Sequence, residues 1–205
     1  MVSANEALER LRAGNGRFVA NRHKHQEHIG VTERTELAAG QSPFAVVLGC
    51  SDSRVPVEII LDQGLGDLFV IRVAGNITGA TVIGSVEFAA AELGARLVVV
   101  LGHSKCGAIG TTLSQIEKPT DLTPGLQSIV DRISPVFTRL DAEGLSRDDL
   151  LKEAIRENVH SSADKMRQGS PILEDLIAND GLRVVGGSYD LLSGVVEFFD
   201  GVPLD

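Results

Sequence analysis

Two short apolar runs interrupt an otherwise mixed chain: Phe44-Ala45-Val46-Val47-Leu48-Gly49 and Leu97-Val98-Val99-Val100-Leu101-Gly102. Both are rich in branched residues and unbroken by polar positions, the pattern of strands buried on both faces of a parallel sheet. Elsewhere the pattern turns helical. Leu8, Leu11, Phe18 and Val19 recur near helical spacing with Glu6, Glu9, Arg10 and Arg12 around them, which predicts an amphipathic helix from Ala4 to about Ala20 whose apolar face needs a cover. A polar arm, Asn21 to His28, follows, and Thr32 to Ala39 is compatible with a short helix ending at Gly40.

The first strand is expected over Phe44 to Cys50, then a short helix opened by Pro56 and stopped by Gly64 and Gly66. Asp67 to Val73 predicts strand two, Gly75-Asn76 a break, Ala80 to Leu93 a helix stopped by Gly94, and Arg96 to Leu101 strand three. A helix starts near Cys106. From Pro124 to Ala178 the pattern is helical, punctuated at Pro135, Gly144 and Gly169-Ser170-Pro171, with Ser146 as a cap before Asp148 and Asp149. Leu182 to Tyr189 reads as strand four and Gly194 to Phe199 as a short edge strand. Strands alternating with helices predict an α/β fold, a mostly parallel β-sheet flanked by helices. No repeat or composition shift divides the chain, so it is expected to be one domain over residues 1–205, with a helical arm at 1–40 and an α/β core at 41–205.

Composition narrows the partners. A net charge of −9, with 19 Lys and Arg dispersed among 28 acids, argues against a nucleic-acid backbone, and the lack of Trp with a single Tyr leaves base stacking poorly supplied. Neither end carries a membrane-length apolar span or a signal peptide, so a cytoplasmic location with no membrane association is expected. Two cysteines in such a chain point to metal ligands or catalytic thiols before a disulfide.

The chemistry sits where the buried runs end. One leads into Cys50-Ser51-Asp52-Ser53-Arg54 and the other into His103-Ser104-Lys105-Cys106-Gly107. Ligands of open α/β sheets bind beyond the carboxyl ends of the strands. Cys50, His103 and Cys106 form the two-thiolate, one-imidazole set of a catalytic zinc that keeps one position for water. If Cys50 and His103 share an ion, strands one and three are neighbours, and the sheet order is 2-1-3 with strand four beyond three. Cys106 lies near a helix start, where the dipole is expected to lower a thiol's pKa and favour the metal-binding thiolate. Asp52 and Arg54 can form a two-pronged ion pair in which Arg54 keeps the carboxylate charged and off the metal. Each piece alone has a plainer reading: a buried Cys as a small hydrophobe, an idle surface ion pair, a closed structural zinc with Asp52 as fourth ligand, or a redox thiol pair without a Cys-x-x-Cys motif. His23, His25 and His28 in the polar arm lack thiol or acidic company for a second metal. With His160 they are candidates for proton transfer.

Taken together, these two clusters resemble the β-class carbonic anhydrase family, a similarity that runs from about Ala4 to the Tyr189-Asp190 region. The resemblance implies one zinc ion per chain on Cys50, His103 and Cys106, with Asp52 and Arg54 as a catalytic dyad. It implies reversible hydration of carbon dioxide to bicarbonate and a proton, in a homodimer or a dimer of dimers whose amino-terminal helices embrace the partner. Gln41, Phe69, Phe88 and Gly107 match substrate-binding positions. Arg72 and Tyr189 match two of three residues of a non-catalytic bicarbonate pocket found in one branch, but Val47 stands where that branch has tryptophan. A plant-like, open site is therefore expected. The stretch Arg72-Val73-Ala74-Gly75-Asn76 departs from the commoner Arg-Asn-x-Ala-Asn. Carbon disulfide or carbonyl sulfide as substrates, and a non-catalytic zinc protein, are the alternatives.

Overall fold

The computed structural model describes residues 2–24, 34–35 and 37–203. Its centre is a five-stranded sheet in the order β2-β1-β3-β4-β5, built from β1 (Ala45–Gly49), β2 (Leu68–Arg72), β3 (Leu97–His103), β4 (Arg183–Tyr189) and β5 (Val196–Asp200). The first four run parallel, and β5 closes the edge antiparallel to β4. The order inferred from a shared ion therefore holds. The helices are α1 (Ala4–Val19), α2 (Val57–Ile60), α3 (Ala80–Ala91), α4 (Gly107–Glu117), α5 (Pro124–Phe137), α6 (Arg147–Gln168) and α7 (Pro171–Asn179).

Every residue of β1 and β3 is buried, because both faces of the sheet are covered. Side chains of a strand alternate, so Ala45, Val47, Leu97, Val99 and Leu101 meet α1 and α2 through Leu8, Leu11, Val57 and Ile60. Val46, Leu48, Val98 and Val100 face the other way, toward Val86 of α3, Val159 and Met166 of α6, and Leu173 of α7. Residue 102 must be small for α6 to lie this close: a Cβ there would stand 2.7 Å from Val159 Cγ2.

The cover that the apolar face of α1 requires comes in part from this chain's own core, which buries Leu8 and Leu11, while Val19 at the end of the helix is 46% exposed. Two expectations need correction. Pro135 does not break the helical region. It sits in the last turn of α5, where the hydrogen bond it cannot donate costs little of the helix. Strand three runs two residues beyond Leu101, so His103 is its last residue, paired with Tyr189, rather than part of the following loop. The short helix expected over 32–39 falls partly outside the described residues, although Arg34, Thr35 and Leu37 are helical. His25 and His28 lie outside them altogether.

Candidate metal centre

The two buried strands end side by side, Gly49 in register with Leu101, so the segments that follow them emerge at one point of the sheet. Cys50 comes directly off β1. His103 ends β3, and Cys106 is the amino-terminal cap of α4. Lys105, at φ 56°, makes the tight turn that brings Cys106 back toward His103. One sulfur, one ring nitrogen and the second sulfur thus lie within 4.8 Å of one another. The cluster rests on an apolar floor made by Ile77, Ile109, Ile133 and Ile155. Both thiols are free.

The donor set fits a soft divalent metal. His103 Nδ1 lies 2.9 Å from the carbonyl of Ser104, which can only accept, so Nδ1 carries the proton and the lone pair is on Nε2. Nε2 is buried and has no hydrogen-bond partner among the described residues, a deficit of about 1–3 kcal/mol for a polar atom out of water. A metal ion between the three atoms removes it.

Cys50 Sγ is prepared as a thiolate. The Cys106 thiol donates to it, the amides of Gly75 and Asp52 add to this against the opposing effect of burial, and its pKa is held to about 4. Gly75 N lies 3.3 Å from the sulfur. Cys106, left as the donor and buried beside a negative sulfur, is pushed up. The lowering expected for Cys106 at a helix start is thus outweighed by its bond to the Cys50 sulfur and by burial. Asp52 forms the predicted fork with Arg54: Nε donates to Oδ1 at 2.9 Å and Nη2 to Oδ2 at 2.7 Å. Those bonds hold the carboxyl well below the usual carboxylate range. Arg54 Nη2 also reaches the carbonyl of Lys105 at 3.3 Å, tying the two loops together. Asp52 Oδ2 faces His103 Nε2 at 3.9 Å, too far for a hydrogen bond and close enough to flank whatever the nitrogen binds.

Not every expected residue joins the cluster. Phe69 pairs in register with Val46, four positions before Cys50, which is about 13 Å back along the strand. Phe88 packs on Phe69 with ring centres 6.2 Å apart, and Gln41 precedes β1 at that same end of the sheet. Gly107 does adjoin the cluster, as the first residue of α4. Val47 is in the core, and Tyr189, buried, packs against Phe18. Neither His23, edge-on to Phe18, nor His160, beside Asp200, is among the clustered groups.

Supporting residues escape a motif search. Arg72 clamps the first loop, Nε donating to the Cys50 carbonyl at 2.9 Å and Nη2 to the Asp52 carbonyl at 2.6 Å. Asn158 of α6, buried, donates to the Gly75 carbonyl at 2.8 Å and so aims the Gly75 amide at Cys50. A glycine with φ of 72° just after a strand was the signal for the turn, but nothing in the sequence marks its carbonyl's partner 83 residues away.

Comparison with known proteins agrees with this geometry. Residues 45–196 match the family model described as carbonic anhydrase. The chain is 42% identical over 190 residues to carbonic anhydrase 2 of Mycobacterium tuberculosis, covering 92% of this chain and 89% of that protein. The β-carbonic anhydrase CafA of Aspergillus fumigatus superposes with a TM-score of 0.75 at 29% identity, over 83% of this chain and 82% of that one. A tetrameric β-carbonic anhydrase of Sordaria macrospora does so with a TM-score of 0.72 at 29% identity, over 81% and 85%. The chain therefore belongs to the β-class of the carbonic anhydrase family.

Proposed function

We propose that this chain interconverts carbon dioxide and bicarbonate, with one Zn2+ held by Cys50, His103 and Cys106 and with Asp52 and Arg54 as its catalytic dyad. The observation that carries the reading is three soft ligand atoms within 4.8 Å beside a carboxylate already engaged by an arginine. Bound there, zinc supplies a Lewis acid that brings the pKa of its water toward neutrality.

The protein's own groups do the rest. Asp52 Oδ2 accepts the hydrogen bond of the reacting water and orients its remaining lone pair toward carbon dioxide. Arg54 keeps that carboxylate ionised and turned from the ligand cluster, which supports the open site over one in which Asp52 is a fourth ligand. The amide of Gly107, among the unsatisfied donors at the start of α4, is placed to bind a substrate oxygen. Gln41, Phe69 and Phe88 lie too far back in the same chain to wall its site. We assign them to the site of a second copy, across the exposed β2 edge where Phe88 is 48% exposed. A homodimer or a dimer of dimers follows; the Sordaria macrospora relative is tetrameric.

We read residues 1–205 as one domain, the 1–40 arm included, because α1 contributes to the main core. Among the described residues no helix is long and apolar enough to cross a membrane. A reducing cytoplasm suits two cysteines kept as metal ligands.

Zinc-edge X-ray absorption combined with stopped-flow hydration tests the reading. Two sulfurs, one nitrogen and one light solvent-derived neighbour are expected, with turnover rising toward alkaline pH. A fourth protein ligand at every pH together with no turnover makes the chain a zinc-binding protein without catalysis and overturns the proposal. Sedimentation equilibrium yielding only monomer overturns the shared site.

A further inference from the structure

Away from the metal centre, α3, α5 and α6 line an open cavity of about 740 Å³ to which none of the three metal ligands contributes. We propose that this cavity is a second ligand site, one that takes the phosphate group of a small phosphorylated molecule.

Charge is the first reason. In a chain of net charge −9, Arg132, Arg139 and Lys165 converge on one cavity. The one lining acid among the described residues, Asp164, is engaged by Arg167 at 2.8 Å. Lys165 has no hydrogen bond or ion pair to protein among the described residues, and burial followed by the neighbouring Arg139 and Arg132 lowers its pKa. Arg132 commits Nε to the Thr78 carbonyl at 3.2 Å and Nη1 to the Ser128 carbonyl at 2.8 Å, which leaves Nη2 to face the cavity's ligand. Arg139 has only a 3.3 Å contact to Glu157.

The second reason is the start of α3. This 12-residue helix has Gly79 as its cap, with no side-chain cap and no acid in its first turn. Its first amides and the positive end of its dipole therefore lack a protein anion. Arg132 makes the deficit worse: its Nε and Nη2 lie 3.7 and 3.8 Å from where a Cβ at residue 79 would stand. A guanidinium over a helix's positive end is unfavourable until an anion sits between them. Thr78 supplies an independent sign. It lines the cavity, is 5% exposed, and its Oγ1 has no hydrogen-bond partner among the described residues. A buried hydroxyl without a partner is rare and costly unless a ligand completes it.

Three cations, free helix amides and a hydroxyl offer more positive charge and more donors than a carboxylate can use. A phosphate dianion, with three terminal oxygens, matches them. The volume exceeds that of the phosphate and leaves room for the body of a metabolite.

The test is calorimetric titration of the zinc-loaded protein with orthophosphate, pyrophosphate and acetate at constant ionic strength, repeated with Lys165→Gln and Arg139→Gln. One saturable phosphate per chain is expected, pyrophosphate binding tighter, acetate failing to compete, and each variant weakening orthophosphate about tenfold. Pyrophosphate should also raise the melting temperature of the wild type more than that of either variant, a readout that checks at once that both are folded. No saturable heat in the wild type overturns the proposal. So does binding that survives both substitutions, which locates the phosphate elsewhere, the metal centre included.

Discussion

Gly75→Ala is the sharpest single test of how the metal centre is held. Gly75 has φ of 72°, a region where a side chain costs about 1–2 kcal/mol. The added Cβ would also stand 2.9 Å from Ile133 Cδ1 and 3.1 Å from Ala108 Cβ. Ile133 is fully buried, so its methyl cannot retreat to solvent, and forcing a group into such packing costs about 1–3 kcal/mol. The sum is about 2–5 kcal/mol. Ala108 lies two residues past Cys106 on α4, so the clash displaces a metal ligand while the Gly75 amide is drawn off Cys50 Sγ. A loss of zinc affinity of about 10–100-fold is expected, as for other groups that orient a ligand. Gly107→Ala is the control, because nothing lies within 4 Å of its Cβ position. Urea melts of both variants, with and without zinc, and chelator competition for the metal measure the two effects. A Gly75→Ala protein within about 0.5 kcal/mol of wild type, with unchanged zinc affinity, refutes the claim that this turn is sterically fixed.

Arg54→Ala should cut hydration turnover sharply while zinc content, measured by plasma emission, stays at one per chain. Its absorption spectrum should gain an oxygen neighbour as Asp52 swings onto the metal, and unchanged turnover removes the dyad from the mechanism. Arg17→Ala removes the ion pair of Asp62, whose side chain is 1% exposed and takes a 2.5 Å bond from Arg17 Nε, and leaves the Lys24 amide at 3.1 Å among its partners. With Arg17 itself 31% exposed, a loss of about 2–3 kcal/mol is expected in denaturant melts, partly restored by adding Asp62→Asn. Asp190 has a depressed pKa, chiefly through the Ser193 amide and hydroxyl. A depressed carboxylate stabilises the fold above its unfolded pKa of about 3.9 and loses that contribution as pH falls through the folded value. Wild type should thus exceed Asp190→Asn in stability at neutral pH, with the gap closing in acid. A gap that widens on acidification contradicts the assignment.

The sheet was legible because its chemistry constrained its topology. A Cys after one buried run and a His after another can share an ion only if the runs are neighbours, and the order β2-β1-β3-β4 follows. The helix starts at Ser146 and Thr123 are local hydrogen-bond patterns, so they too can be read from nearby residues. What could not be read depends on contacts far apart in sequence. The choice of Cys50 as thiolate comes first from the Cys106 thiol, brought back by the turn after β3, and then from backbone amides such as that of Gly75, whose carbonyl Asn158 holds from a helix remote in the chain. The seating of α1 is a related case. Its apolar stripe shows that a cover exists but not which elements supply it, and Asn15 fixes the helix on the core by bonding Ile60, Gly194 and Val196.

Arg72 shows how such a contact changes a functional reading. By position it matched a residue of a bicarbonate pocket, yet its guanidinium is committed to the carbonyls of Cys50 and Asp52. Those acceptors are neutral, so the arginine's charge is not cancelled by them. It stays on the first loop together with that of Arg54, opposite the Asp52 carboxylate and the sulfurs. With the two thiolates balanced by the proposed Zn2+ and Asp52 by Arg54, the charge of Arg72 is the one left over beside the site. The clamp that shapes the loop therefore also sets its charge, and a lysine at position 72, holding the charge without the two-pronged grip, separates those roles.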